Sequence, residues 1–108
     1  MSKICNCKIT KVGIDITETF NINVKLRFSF RTNHAIRYCE KNFFNIEENI
    51  DFHKIMEYAG IKKVNMLKDR IVRCIIENNK IIGVGDPIED KFILFNSFGA
   101  EFSKNDLK

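Results

Sequence analysis

Three groups of residues in this 108-residue chain are of types that do chemistry. The first is the stretch KIIGVGDPIEDKF, residues 80 to 92. In it Gly83 and Gly85 follow an apolar run and precede Pro87, the only proline. Glycines so placed cradle a phosphate when a helix follows and turns its N–H groups toward the anion. Here another strand-like segment follows. The lysine and hydroxyl residue of a Walker loop are absent, as is the third glycine of a dinucleotide fingerprint. Both phosphate-loop readings are rejected. What remains is a bulge, or a strand that something approaches closely, either the helix or a ligand.

The second group is the arginines. A guanidinium forks onto phosphate with charge-assisted hydrogen bonds, and an aromatic ring stacks on a base. Arg27 and Arg31 share the polar side of one alternating segment, and Arg37 and Tyr38 follow in a stretch without clear period. Together with Arg73, Lys91 and the glycine strand they outline a pocket for an anion, one that a subunit interface could share.

The third group is titratable. His34 and His53 are far apart and neither falls in a nucleophile motif. Glu47, Glu48 and Asp51 cluster at the start of an expected helix, where the macrodipole favours carboxylates. No catalytic constellation emerges, so no enzymatic activity is expected. Cysteines stand at 5, 7, 39 and 74 with no CxxC. Two apart on a strand, Cys5 and Cys7 share a face and are poorly placed to pair with each other. All four are read as thiols, and their spacing with the histidines matches no zinc pattern. Neither metal nor cofactor is expected.

The elements that position these groups follow from periodicity. Hydrophobic residues make up 44% and charged residues 30%, which suits one globular domain, residues 1–108. Over residues 4 to 16, Cys5, Cys7 and Ile9 alternate in one phase and Val12, Ile14 and Ile16 in the other, which indicates a strand with a bulge near Gly13. Residues 20 to 30, FNINVKLRFSF, alternate without a break. Phe20, Ile22, Val24, Leu26, Phe28 and Phe30 form a core face, opposite Asn21, Asn23, Lys25, Arg27 and Ser29. A turn around Thr17 to Thr19 joins these two strands.

In IDFHKIMEYAG, residues 50 to 60, Phe52, Ile55, Met56 and Ala59 fall at helical spacing, with Asn49 as N-cap and Gly60 as terminator. RIVRCIIE, a turn at Asn78–Asn79, IIGVG and KFILF then make a meander, and the tail from Ser97 is expected to be loose. The economical fold is α+β: an antiparallel sheet of about five strands with one helix packed on one face.

The stretch from Ile50 to Phe95 resembles a family of short phage and prophage proteins. In that family an apolar helix precedes a gv-x-x-w-x-x-L connector, a vRv strand, an IGIG return strand and a KDKWF segment. This chain carries IDFHKIMEYAGIKKVNML, then RIVRCII, then IIGVGDPIEDKF, and its KITKVGIDI is also similar. The family is identified with the Thoeris anti-defence proteins, which sequester cyclic ADP-ribose isomers, and in some members cyclic oligonucleotides, before a host effector senses them. The resemblance covers about half the chain. It implies a homo-oligomer that binds a nucleotide-derived small molecule without cleaving it, with Arg73 standing where the vRv arginine does. The chain departs from the pattern in three places. TNHAIRYCEKNFF replaces a glycine-rich GxGFGGY run, Phe92 replaces a tryptophan, and Asp86 stands where an asparagine or histidine is expected. An aspartate repels a pyrophosphate but accepts hydrogen bonds from a ribose or base.

The expected ligand site is therefore Arg27, Arg31, Arg37, Arg73, Gly83, Gly85, Asp86, Lys91 and Phe92. The other expectation is an inhibitor that binds a host defence protein, served by the Phe43–Phe44 patch. Net charge is +4, but no block of five or more basic residues occurs, which makes nucleic acid an unfavoured partner. The N-terminus lacks the apolar core of a signal peptide, and no apolar run approaches the ~18 residues that span a membrane. The expected location is the cytoplasm of the host cell.

Overall fold

The computed structural model describes residues 2–16, 18–19 and 22–107. Strands β1 (Lys3–Ile16), β2 (Ile22–Arg31) and β3 (Ile36–Phe43) are followed by helix α1 (Ile46–Ala59). Strands β4 (Ile71–Glu77), β5 (Lys80–Gly85) and β6 (Phe92–Leu94) come after it. They form one six-stranded antiparallel sheet in the order β3-β2-β1-β4-β5-β6, and the helix covers one face. The architecture is the expected α+β fold with one more strand. The extra strand is β3, from the stretch without clear period. As an edge strand it exposes Ile36, Tyr38 and Glu40 on its outer side, and on the helix side only Phe43 is buried, so little hydrophobic alternation shows in its sequence.

Between sheet and helix lies the core: Cys7 and Ile9 of β1; Val24, Leu26, Phe28 and Phe30 of β2; Phe43 of β3; Val72, Cys74 and Ile76 of β4. Phe52, Ile55 and Tyr58 face them from the helix. Each fully buried large apolar side chain contributes about 1.5–3 kcal/mol relative to exposure. The expected apolar face of β2 holds from Val24 to Phe30, whereas Ile22 is exposed. Phe20, Asn21 and Thr17 lie outside the described residues. The phase slip in β1 is real: its register against β2 shifts between Ile9 and Lys11, which lets both halves of the strand point apolar side chains to the helix side.

The helix starts earlier than its apolar spacing suggests. Asn45, not Asn49, is the N-cap: its side chain accepts from the Glu48 N–H at 2.8 Å, and Glu48 Oε1 accepts from the Asn45 N–H at 3.2 Å. This reciprocal box satisfies two N–H groups that the helix itself cannot. The Asn49 N–H is already committed to the Asn45 carbonyl. Gly60 ends the helix as expected, at φ 72°. Asp51 is not a first-turn surface carboxylate but fully buried, its Oδ2 accepting from the Asn96 N–H at 2.9 Å.

Asn78 and Asn79 take positive φ, 52° and 65°, in the β4–β5 hairpin, as their amide side chains allow. The tail beyond Ser97 is docked rather than loose. Phe102 exchanges both backbone hydrogen bonds with Phe92 at 2.9 Å, and the two rings stack. The cysteines also depart from expectation, because Cys7 and Cys74 pair as a disulfide between β1 and β4. Cys5 and Cys39 are free thiols. Sequence spacing points only to what Cys5 and Cys7 cannot do with each other; the partner strand is a matter of topology. Among the described residues no helix is long and apolar enough to cross a membrane.

Candidate functional site

Directly paired residues of antiparallel strands point to the same side of a sheet, so the register assigns each side chain to a face. On the side away from the helix, Asn6 lies opposite Arg73, and Lys8 opposite both Ser29 and Ile71. Arg27 lies opposite Lys11 and Glu40, Ser29 opposite Tyr38, and Arg31 opposite Ile36. Arg27, Arg31 and Arg73 thus share one uncovered face with Lys8, Lys11 and Lys25. The carboxylates on it are Asp15, Glu40 and Glu77. β strands 1 to 4 build this basic surface because alternation commits their other side chains to the core.

The surface carries two local features. Arg27 is fixed: its Nε donates to Thr10 Oγ1 at 3.0 Å, and its guanidinium carbon lies 5.0 Å from the centre of the Tyr38 ring. Tyr38 is 60% exposed, so it offers an aromatic edge to a ligand while holding the arginine in place. Beside it a shallow depression of about 210 Å³ is lined by Asn6, Lys8, Ser29, Arg31, Ile36 and Ile71. Lys8 pairs with Asp69 at 3.8 Å, but both side chains are more than half exposed, and such a pair is worth little and yields readily to an arriving anion.

The other expected residues go elsewhere. Arg37 lies opposite Phe30 and therefore points to the helix side of the sheet, away from Arg27 and Arg31. Gly83 and Gly85 are buried, and neither helix nor ligand fills the space above them. A Cβ on Gly83 would strike the Ile93 carbonyl oxygen, and one on Gly85 would strike the Phe92 ring. Phe92 is itself fully buried, lying over Gly85 from the neighbouring strand with Phe102 stacked on it. The tail thus covers the β5–β6 end of this face, and only the β1–β3 end and Arg73 remain open.

Asp86 organises its own turn, its Oδ1 accepting from the N–H groups of Ile88 at 2.8 Å and Glu89 at 3.0 Å. Lys91 pairs with Glu89 at 3.1 Å. These two residues close the β5–β6 connection and do not join the arginines.

Several ionisable groups on the helix side are perturbed. Burial raises the Asp51 carboxyl above its ordinary value, outweighing the Asn96 N–H and Lys41, and its Oδ1 has no hydrogen-bond partner among the described residues. Burial likewise raises the Tyr58 phenol, reinforced by its 2.8 Å bond to Glu101. That bond lowers the Glu101 carboxyl, with Lys54 3.3 Å away. These groups tie the helix to the Phe95–Asn96 turn and the tail. Among the described residues no group of three or more His, Cys, Asp or Glu is arranged to hold a metal ion.

Asn6, Lys8, Ser29 and Thr10 were not singled out from the sequence. The signal for Asn6, Lys8 and Thr10 is the polar phase beside Cys5, Cys7 and Ile9, and that for Ser29 is the polar phase of β2, but neither can be told from ordinary solvated strand residues without knowing which strands adjoin. Neither a protein-family model, nor a curated protein, nor a solved structure matches this chain.

Proposed function

We propose that the chain is a binding protein that captures a nucleotide-derived anion on the open β1–β3 face and holds it without cleaving it. Cyclic ADP-ribose isomers and cyclic oligonucleotides are the ligand class, and sequestration of an immune signal in a phage-infected cell is the role. One observation carries this reading: Arg27, Arg31 and Arg73 share an uncovered sheet face beside an exposed tyrosine ring. Forked donors and a stacking surface are what phosphate and base require. Binding alone needs no acid or base. The motif resemblance over residues 50 to 95 supports the choice of ligand class.

The test is thermal stability and isothermal titration against a panel of these nucleotides, followed by mass analysis of ligand released on denaturation. A ligand bound only by the folded state adds about 4 kcal/mol at a thousandfold excess over Kd. The expected result is a large shift with one ligand, which returns intact. A ligand returned chemically altered, or no shift across the panel, defeats the proposal.

A second reading has its own observation. Ile22, Phe44, Ile46 and Phe98 surround a recess at the N-terminal end of the helix, and Ile46 and Phe98 are 79% and 68% exposed. Such a surface suits an inhibitor that grips a host defence protein. A host protein retained by the wild type and released by Phe98→Ser would favour it over nucleotide capture.

A further inference from the structure

Three of the cysteines meet on the helix side of the β1–β4 pair. Cys74 lies directly opposite Cys5, and Cys7 is the next residue of β1 on that side. The disulfide runs on the diagonal, from Cys74 to Cys7, with Cα atoms 5.9 Å apart. Cys5 keeps its thiol beside this bond and is half-buried, while Cys7 and Cys74 are closed to solvent. Directly opposed residues in an antiparallel pair have Cα atoms about 4.5–5.5 Å apart, and disulfides span about 4.4–6.8 Å. The backbone therefore accommodates a Cys5–Cys74 bond as well as the Cys7–Cys74 bond.

We propose that Cys5, Cys7 and Cys74 form an internal thiol–disulfide exchange site. The Cys5 thiolate attacks Cys74 Sγ. The Cys5–Cys74 bond forms, the Cys7–Cys74 bond breaks, and Cys7 leaves as a thiolate. Cys5 gives its proton to solvent and Cys7 takes one up. One disulfide and one thiol are present before and after, so the step needs no oxidant or reductant. Cys5 reaches solvent through a cavity of about 80 Å³ that it lines with Phe30, Ile76 and Asn79. Burial raises its thiol above the ordinary value, against the pull of Lys3, so exchange quickens as the solution becomes alkaline. Cys39, on β3 opposite Phe28, stands outside the cluster and serves as the reference free thiol.

The test is differential alkylation of the full chain. Protein held at about pH 8.5, near the ordinary thiol range, is denatured in mild acid without reductant and labelled with N-ethylmaleimide. Peptide fragmentation then distinguishes label on Cys5 from label on Cys7. Complete labelling of Cys39, with label divided between Cys5 and Cys7, is the expected result. A Cys7→Ser variant should cross-link Cys74 to Cys5. Label confined to Cys5 in the wild type, all four thiols labelled, or a Cys7→Ser variant with Cys5 and Cys74 both free after air oxidation would each overturn the proposal.

Discussion

Gly85→Ala separates a glycine kept for packing from one kept for a ligand. The added methyl would fall within contact distance of three atoms of the Phe92 ring. That ring is fully buried and stacked on Phe102 with centroids 6.1 Å apart, so it cannot swing away without breaking the tail's attachment. Overpacking of this kind costs about 1–3 kcal/mol. A domain of this size has about 5–15 kcal/mol of stability, so the variant still folds and its urea midpoint can be read. The decisive quantity is coupling. In a Phe92→Ala background every ring atom that the methyl would strike is gone, and replacing a strand glycine then returns about 0.5–1 kcal/mol of backbone entropy. Gly85→Ala should therefore be costly alone and neutral or stabilising beside Phe92→Ala, a non-additivity of about 1 kcal/mol or more. Urea unfolding of the four proteins, with unchanged m values, gives the cycle. Additive costs, or an unchanged midpoint for Gly85→Ala, would refute the packing argument. A ligand-contacting glycine would instead lose binding at constant stability.

Arg31→Ala and Arg73→Ala should each weaken capture of the nucleotide that binds, by about tenfold or more for a lost charge-assisted bond. Arg37→Ala, on the other side of the sheet, should leave titration curves unchanged. Asn45→Ala should cost about 1 kcal/mol by removing the N-cap, whereas Asn49→Ala should cost far less; equal midpoint shifts in urea would contradict the capping box. Asp51 sets a pH dependence. Its folded value is raised, so the native state binds the proton more tightly than the unfolded chain, and this carboxyl's contribution to stability falls as pH rises from the ordinary Asp value of 3.8 through the folded value. The stability difference between wild type and Asp51→Asn should shrink or reverse in that direction, and a difference that grows with pH would sink the assignment. Phe102→Ala should expose the β5–β6 end of the sheet and speed amide exchange at Phe92 and Ile93, since the Phe92 N–H donates to the Phe102 carbonyl.

Much of this fold is local and could be read along the chain. The alternation of Val24 to Phe30, the slip between Ile9 and Lys11, the paired asparagines of the β4–β5 turn and the glycine at the helix end are all set by neighbours a few residues away. Edge strand β3 escaped because its outer side is solvated and its helix side buries only Phe43, which leaves little hydrophobic period. Asn45 was hidden because the apolar stripe of the helix begins at Phe52, about two turns after its cap.

The candidate site needed the tertiary structure throughout. Chain order places Arg27, Arg31 and Arg37 together, but the pleat sends Arg37 to the opposite side and the β1–β4 pairing brings Arg73 in from 42 residues beyond Arg31. The glycines that looked like a ligand cradle are filled by the β6 backbone at Gly83 and, at Gly85, by a ring seven residues later, on which a tail with no signal of its own is stacked. Cys7 found Cys74 across 67 residues for the same reason. Period and capping are short-range and leave marks in sequence. Which strands adjoin is decided by how the whole apolar surface is buried at once, and the composition of a face follows from that.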